Sequence, residues 1–412
     1  MEIKNKEQEK GVNISSAIAP GLVTGASDND PAGIATYALA GIRTGYGQLW
    51  LLPVITPMLI AVQSMAARIA SITKRGIAAN IVKFYGRKTA LLAVGSLVIA
   101  NVLTIGADIA AMAQSMSLLI PGTTILFWVV PVSFIMWYVL VFFNYREIRL
   151  YFLWLILISF AFVVSAYLAK PDWSEVLRQT INPVLHFTPE YIMGGLALVG
   201  TTISPYLLFW EAQETLEEKT DSRLARFQNI IQAPGFILSN FVSFMIIVVS
   251  GTLLFNTTAG DVTAVQIAKS LEPLAGPHAT TLFALGILGA GFLAVPVLAA
   301  SAAAGISELL GWRKGLSLNV SQAKGFYEVI TLAMLIGVQI AIANIDPIKA
   351  LFVSQIIAGM LCPIIIFLML RVANNKRIMG SDVNSWFDNI FGGLTVLLMT
   401  AGSLAVFWML FS

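Results

Sequence analysis

Eleven predominantly apolar stretches, each long enough to cross a bilayer, follow one another along this chain of 412 residues. No other feature limits the fold as strongly. A crossing takes ~20 apolar residues as a helix. In hydrocarbon no water satisfies a free backbone N–H or C=O, so each crossing must close its hydrogen bonds within itself, as an α-helix does. The stretches fall near 15–46, 48–71, 89–118, 122–143, 150–169, 193–215, 229–255, 278–307, 324–344, 347–371 and 388–411. The expectation is therefore an all-α integral membrane protein in contact with the lipid bilayer on most sides. The connections 170–192 and 256–277 are long enough for short surface helices, one of them from Val265 to Leu271. Only 11% of residues are charged, against ~25% in a soluble domain.

What the composition lacks narrows the function. A net charge of +3, thinly spread, gives no surface for nucleic acid. A single cysteine, Cys362, allows neither a disulfide framework nor a thiolate cluster and reads as a packing residue. His186 and His278 match no metal spacing, and the scattered methionines read as packing. No nucleotide-binding signature is present, so neither ATP nor a cofactor is expected, nor an enzyme. Of the 25 Lys and Arg, 20 fall on one side of the alternating connections and 4 on the other. By the positive-inside rule the N-terminus is cytoplasmic and the C-terminus outside, in a multi-pass protein of the cell membrane. The segments are then a tail over 1–14, five spans over 15–169, five over 193–371 and a last span over 388–411.

Two spans are interrupted. The first carries Ser27-Asp28-Asn29-Asp30-Pro31-Ala32-Gly33 at its centre. A charge at membrane depth costs ~2.5–3.5 kcal/mol on insertion scales, and proline removes a backbone donor. The simpler reading is a kinked helix with an interfacial cap, but apolar sequence continues on both sides. Five spans later Gly200-Thr201-Thr202-Ile203-Ser204-Pro205 breaks the sixth span in the corresponding place. Paired interruptions in matching halves point to a transporter site near the midplane. Freed carbonyls suit a cation, and Asp30 adds charge beside them. Glu211 and Glu214 follow, either lining an exit or forming the wet end of the helix. Asp28 either lines the approach or caps the inner half-helix.

Asp30-Pro31 with Ala35-Thr36, Gly45-Tyr46 and Leu49-Trp50 resembles the Nramp family of divalent-metal transporters, whose signature at the first break is Asp-Pro-Gly-Asn. The sixth span resembles the family's second metal-binding break, and the likeness runs through all eleven spans. It implies an inverted repeat of five plus five helices (LeuT-like), with broken helices 1 and 6 and an eleventh helix appended. Asp30 matches the family's metal-binding Asp, while Gly33 replaces its Asn and Ser204 its Met. Tyr206 replaces the first His of the sixth span, and Glu211 falls where the second would be. Asp108 matches a carboxylate linked to proton movement, but Ala111 stands where a Glu is expected one turn on. These departures resemble the magnesium-transporting branch of the relatives.

The chemistry of the replacements agrees with that branch. Without a thioether only oxygen donors remain, which suit Mg²⁺ or Mn²⁺. Mg²⁺ dehydrates reluctantly, and Gly33 leaves room for its water. The expected ion site comprises Asp30, carbonyls at Ser27 and Thr201, the open position at Gly33, and Ser204 and Gln355 through water. Asp28, Asp108, Tyr206 and Glu211 are pathway or proton-linked residues. The expected activity is Mg²⁺ and Mn²⁺ import without proton coupling. Its alternatives are proton-coupled Mn²⁺/Fe²⁺ transport and symport of an amino-acid-like solute.

Overall fold

A computed structural model of the chain describes residues 30–143, 160–217, 227–257, 261–343 and 345–411, and all regular structure among them is helical. The tail over 1–14, the first span up to residue 29 with Ser27 and Asp28, and most of the fifth span lie outside the described residues. Nine helices among the described residues are long and apolar enough to cross a membrane. The first and fifth spans are described in part, as Pro31–Thr44 and residues 160–168. The others run Leu51–Thr73, Arg87–Leu119, Ile125–Phe142, Pro189–Thr202 continued by Pro205–Glu217, Gln228–Leu254, Ala279–Leu310, Lys324–Ile342, Pro347–Ala373 and Trp386–Phe411. They are called the second to eleventh spans below, omitting the fifth. The sequence boundaries differ from these by a few residues. Short helices fill the two long connections, at Trp173–Ile181 and Ala264–Ala268. A third, Ile77–Tyr85, lies between the second and third spans.

Local chemistry explains where the helices begin. Pro31, Pro189, Pro205 and Pro347 each open a helix. At that position the missing N–H has no intrahelical partner to lose, and the fixed φ is already helical. Thr188 caps the sixth span by accepting from Tyr191 N, and Asp346 caps the tenth by accepting from Lys349 N at 3.0 Å.

The packing repeats with a swap between the two halves. The half-helix after the first break, Pro31–Thr44, packs on the seventh span, and the half-helix after the second, Pro205–Glu217, packs on the second span. The third span lies against the eighth, ninth and tenth. Small residues let these backbones touch, as expected where helices meet without a hydrophobic driving force. A Cβ on Gly41 would lie 2.5 Å from the Ile247 carbonyl oxygen of the seventh span. One on Gly200 would lie 2.2 Å from the Gln355 carbonyl oxygen of the tenth. The sixth span is central, with 83% of its apolar window buried, and the eleventh is peripheral at 22%. Leu397, Leu404 and Trp408 make an exposed apolar face on the eleventh, suited to lipid.

Two ion pairs fasten the frame away from the breaks. Arg68 Nη2 of the second span lies 2.9 Å from Asp388 Oδ2 of the eleventh and donates to Asn384 Oδ1 at 2.6 Å. Lys314 Nζ lies 2.6 Å from Glu308 Oε1 at the end of the eighth span. Glu308 Oε2 accepts from Ala79 N at 3.0 Å, in the first turn of Ile77–Tyr85. Glu308 thus serves as an acceptor for a helix start to which it is not joined in sequence. Cys362 is a buried free thiol within the packed tenth span.

Candidate metal-ion site at the paired breaks

The first described residue, Asp30, holds the end of the half-helix that follows it. Its backbone is extended, its Oδ1 accepts from Gly33 N, and Pro31 occupies the first helical position. Gly33 therefore sits inside the first turn, as a capped donor and not as part of an unwound strand. The second oxygen, Oδ2, accepts from Tyr206 OH at 3.1 Å. That bond joins the two broken spans across the protein centre, and both residues are buried. A carboxylate oxygen has two lone pairs, so each Asp30 oxygen keeps acceptor capacity for a cation after these bonds.

The sixth span breaks at the predicted place. Its first half ends at Thr202, and the second begins at Pro205, leaving Ile203 and Ser204 between them. Ile203 N still donates to Val199 O at 2.8 Å. Pro205 has no N–H to continue the ladder. Ser204 turns its hydroxyl back to the Gly200 carbonyl at 2.9 Å and the Thr201 carbonyl at 2.7 Å. The carbonyl end of Pro189–Thr202 thus ends at the break, where the partial negative charge of a helix C-terminus favours a cation. Thr201 O keeps one lone pair, and Ser204 Oγ, having given its proton to the helix, can still accept.

Several oxygens around the breaks have no hydrogen-bond partner among the described residues. They are Thr36 Oγ1, Thr201 Oγ1, Gln355 Oε1 and both carboxylate oxygens of Asp108. Gln355 Nε2 donates to Ser354 Oγ at 3.2 Å, and the Gln355 backbone lies against Gly200 beside the second break. Asp108 is fully buried in the third span and lies near enough to Asp30 to sense its charge. Glu211, two turns into Pro205–Glu217, accepts from Gln232 Nε2 of the seventh span. No three His, Cys, Asp or Glu side chains converge as a metal cage among the described residues. The donor set is oxygen with few charges, an arrangement for an ion that keeps part of its water.

The structure thus brings Asp30, Gly33, Thr201, Ser204, Tyr206 and Gln355 to the two breaks, with Asp108 alongside. Glu211 stands further along the sixth span. Ser27 and Asp28 lie outside the described residues. The sequence reading passed over Tyr37, whose hydroxyl shares a 2.9 Å bond with Thr202 Oγ1 and ties the half-helices together a second time. A signal existed: Tyr37 follows Asp30 by seven positions, which puts both on one helix face. At the far ends of the half-helices, Ile42, Arg43, Thr44, Thr188, Glu190 and Tyr191 line an open cavity of about 640 Å³ together with His186, Phe255, Asn256 and Val262.

Comparison with known proteins bears on the family and the fold. Residues 21–409 match the profile of the Nramp family, described as natural resistance-associated macrophage protein-like. A divalent metal cation transporter, MntH, of Caldanaerobacter subterraneus is 25% identical over 244 residues, which are 58% of this chain and 55% of that protein. The chain thus spans little more than half the length of that relative. The MntH of Bacillus subtilis is 22% identical over 405 residues, covering 93% of this chain and 90% of the relative. Among solved structures, a manganese transporter of Eremococcus coleocola superposes with a TM-score of 0.78 at 19% identity, covering 95% of this chain and 86% of that one. Mhp1, a nucleobase-cation-symport transporter, does so at 0.55 with 14% identity, covering 95% and 90%. At these identities the structural likenesses speak for the fold alone, and they place the chain in the inverted-repeat architecture.

Proposed function

The chain belongs to the Nramp family, and from that premise we propose that it is a membrane carrier of divalent metal cations. Its preferred cargo on this reading is hard and small, Mg²⁺ and Mn²⁺, taken up with part of the water shell intact. The observation that carries the preference is the donor set at the breaks. Asp30 supplies charge, Tyr206, Thr201, Ser204 and Gln355 supply neutral oxygens, and positions 204 and 206 carry a serine and a tyrosine in place of a thioether and an imidazole. Soft ligands select softer transition metals, whereas oxygen donors suit Mg²⁺ and Mn²⁺. Gly33, with no side chain at a position that donates to Asp30, leaves space for bound water.

The transport cycle follows from the two breaks. An ion entering from the cavity at the far ends of the half-helices meets Asp30 between them. The bond from Tyr206 to Asp30 and that from Ser204 to the Thr201 carbonyl are the contacts an ion would loosen or share. The second half-helix, held on the second span and tied through Glu211 to Gln232, would rock with that bundle and open the site on the other side. With the N-terminus cytoplasmic, the path ends at the Glu217 end of that half-helix.

Coupling to protons is dispensable on this reading. Ala111 interrupts the series of titratable groups on the third span, and Asp108 has no hydrogen-bonded carrier beside it among the described residues. Two charges moving through 100 mV gain ~4.6 kcal/mol, more than a thousandfold in concentration ratio. The test is flux into liposomes carrying a pH-sensitive dye at fixed potential. Mg²⁺ and Mn²⁺ should enter without acidification of the lumen. Acidification that tracks metal entry overturns the uncoupled reading and promotes proton-coupled Mn²⁺ transport. Solute uptake without metal flux overturns the metal assignment itself.

A further inference from the structure

Asp108 has no structural partner in the described part of the protein. It is fully buried in the middle of the third span, and neither of its oxygens meets a donor among the described residues. A carboxylate held this way is among the costliest arrangements a protein can bury. The side chains on its own helix face are turned elsewhere. Asn101, seven positions before it, donates to Leu298 O and Ser301 Oγ, both at 2.8 Å, on the eighth span. Thr104 donates back to Ala100 O at 3.0 Å. Arg68, which is buried, is occupied by Asp388, and the half-buried Lys314 by Glu308.

The third span touches both half-helices that begin at the breaks, one of them capped by Asp30, and the charge of Asp30 is felt at Asp108. Two carboxylates brought together in a low-dielectric interior repel, and a cation between them turns the repulsion into attraction. We propose that Asp108 is the second anionic group of the ion site, gripping the cation's water shell from the third span while Asp30 holds it from the first. The pair then carries the charge that balances one divalent cation. A monovalent ion would leave one carboxylate uncompensated, so the pair selects for charge while the neutral oxygens select for hardness. The inference rests on the reading of the breaks as a divalent-metal site.

The test is calorimetric titration of Mn²⁺ into the full-length protein in detergent, with the parent, Asp108→Asn, Asp108→Ala and Asp30→Asn compared. Asp108→Asn keeps the shape and removes the charge. Its Mn²⁺ affinity should fall by about 10- to 100-fold, the usual cost of losing an outer partner of a metal. Without metal it should melt no lower than the parent, because a buried acid with no hydrogen-bond partner among the described residues has gone, and added Mn²⁺ should stabilise it less. Asp108→Ala should show the same loss of affinity. If either Asp108 variant keeps the parent affinity while Asp30→Asn loses it, this inference falls and the proposed function stands. If metal-free Asp108→Asn melts clearly lower than the parent, Asp108 is a structural residue and the inference falls as well. If the parent binds neither Mn²⁺ nor Mg²⁺, the proposed function falls and takes the inference with it.

Discussion

Asp388 and Asp30 are both buried carboxylates at the start of a helix, and they are held in opposite ways. Asp388 has a guanidinium partner, Arg68, at 2.9 Å, and also accepts from Ser385 N at 2.9 Å and Ser385 Oγ at 2.7 Å. Asp30 accepts from one backbone N–H and one phenol. The first is closed, its charge matched by a fixed cation that staples the eleventh span to the second. The second, on the function proposed above, keeps its charge for an ion that comes and goes. The same contrast separates Glu308, paired with Lys314, from Asp108. On the reading proposed above, Asp388 with its fixed cation belongs to the frame, and Asp30 and Asp108, with no cation paired to them among the described residues, belong to the path.

The contrast is broken most completely at Asp30. Asp30→Ala should abolish saturable Mg²⁺ and Mn²⁺ uptake in liposomes while the protein still elutes as a single species. Uptake with unchanged apparent affinity would remove Asp30 from the site. The matching change in the frame should cost stability instead. Arg68→Ala strands Asp388 in the interior, for which a loss of about 3–5 kcal/mol is expected, read as a lower unfolding midpoint in detergent. Replacing both partners by apolar residues of similar volume should recover most of that loss, and a double variant as unstable as the single one would contradict the argument.

Chemistry at the second break is a smaller lever. Ser204→Met with Gly33→Asn should raise the Mn²⁺ and Cd²⁺ preference over Mg²⁺ on the order of tenfold, or ~1.4 kcal/mol, in competition flux. A parent protein that already takes Cd²⁺ far ahead of Mg²⁺ would show that the missing thioether had been given too much weight. The smallest effect belongs to a charge pair on the surface helix Trp173–Ile181. Arg178 donates to both oxygens of Glu175, and this, with a further bond from Gln179, holds the carboxyl down at about 2. A lowered value means that its contribution is present above the ordinary carboxylate range and is lost as pH falls toward 2. The pair is exposed, and solvent screens it. Arg178→Ala should leave flux and the melting midpoint at pH 7 unchanged within error, with the Glu175 midpoint moving up. A clear loss of stability would blur the line drawn here between frame pairs and surface pairs.

Much of this was legible in the residues alone. Hydrocarbon permits so few backbone solutions that ~20 apolar residues specify a helix without reference to neighbours, so the spans could be read one at a time. The breaks were legible for the same reason, since Asp30-Pro31 and Ser204-Pro205 violate the rule that the rest of each span obeys. The surface helix after Val265 also showed itself, and its sequence places Thr263 and Gln266 as a reciprocal cap. The metal preference could be argued from which side chains were absent at the breaks.

Tertiary structure decided which polar atoms are free and which are already engaged. Local sequence gives Asp388 its Ser385 partner but not its cation, and gives Asp108 no warning of a second carboxylate, because those come from other helices: Arg68 lies 320 positions from Asp388, and Asp30 lies 78 positions from Asp108. The hydroxyl of Ser204 was expected to reach the ion through water, and the structure shows its proton turned to the carbonyls of its own helix, a choice of rotamer that sequence does not encode. Tyr206 was placed on the pathway from its position, but its bond to Asp30 depends on two half-helices meeting end to end. A helix in lipid is specified by its own composition; a binding site is specified by the distances between helices, and those are set by where Gly41 and Gly200 let the backbones close.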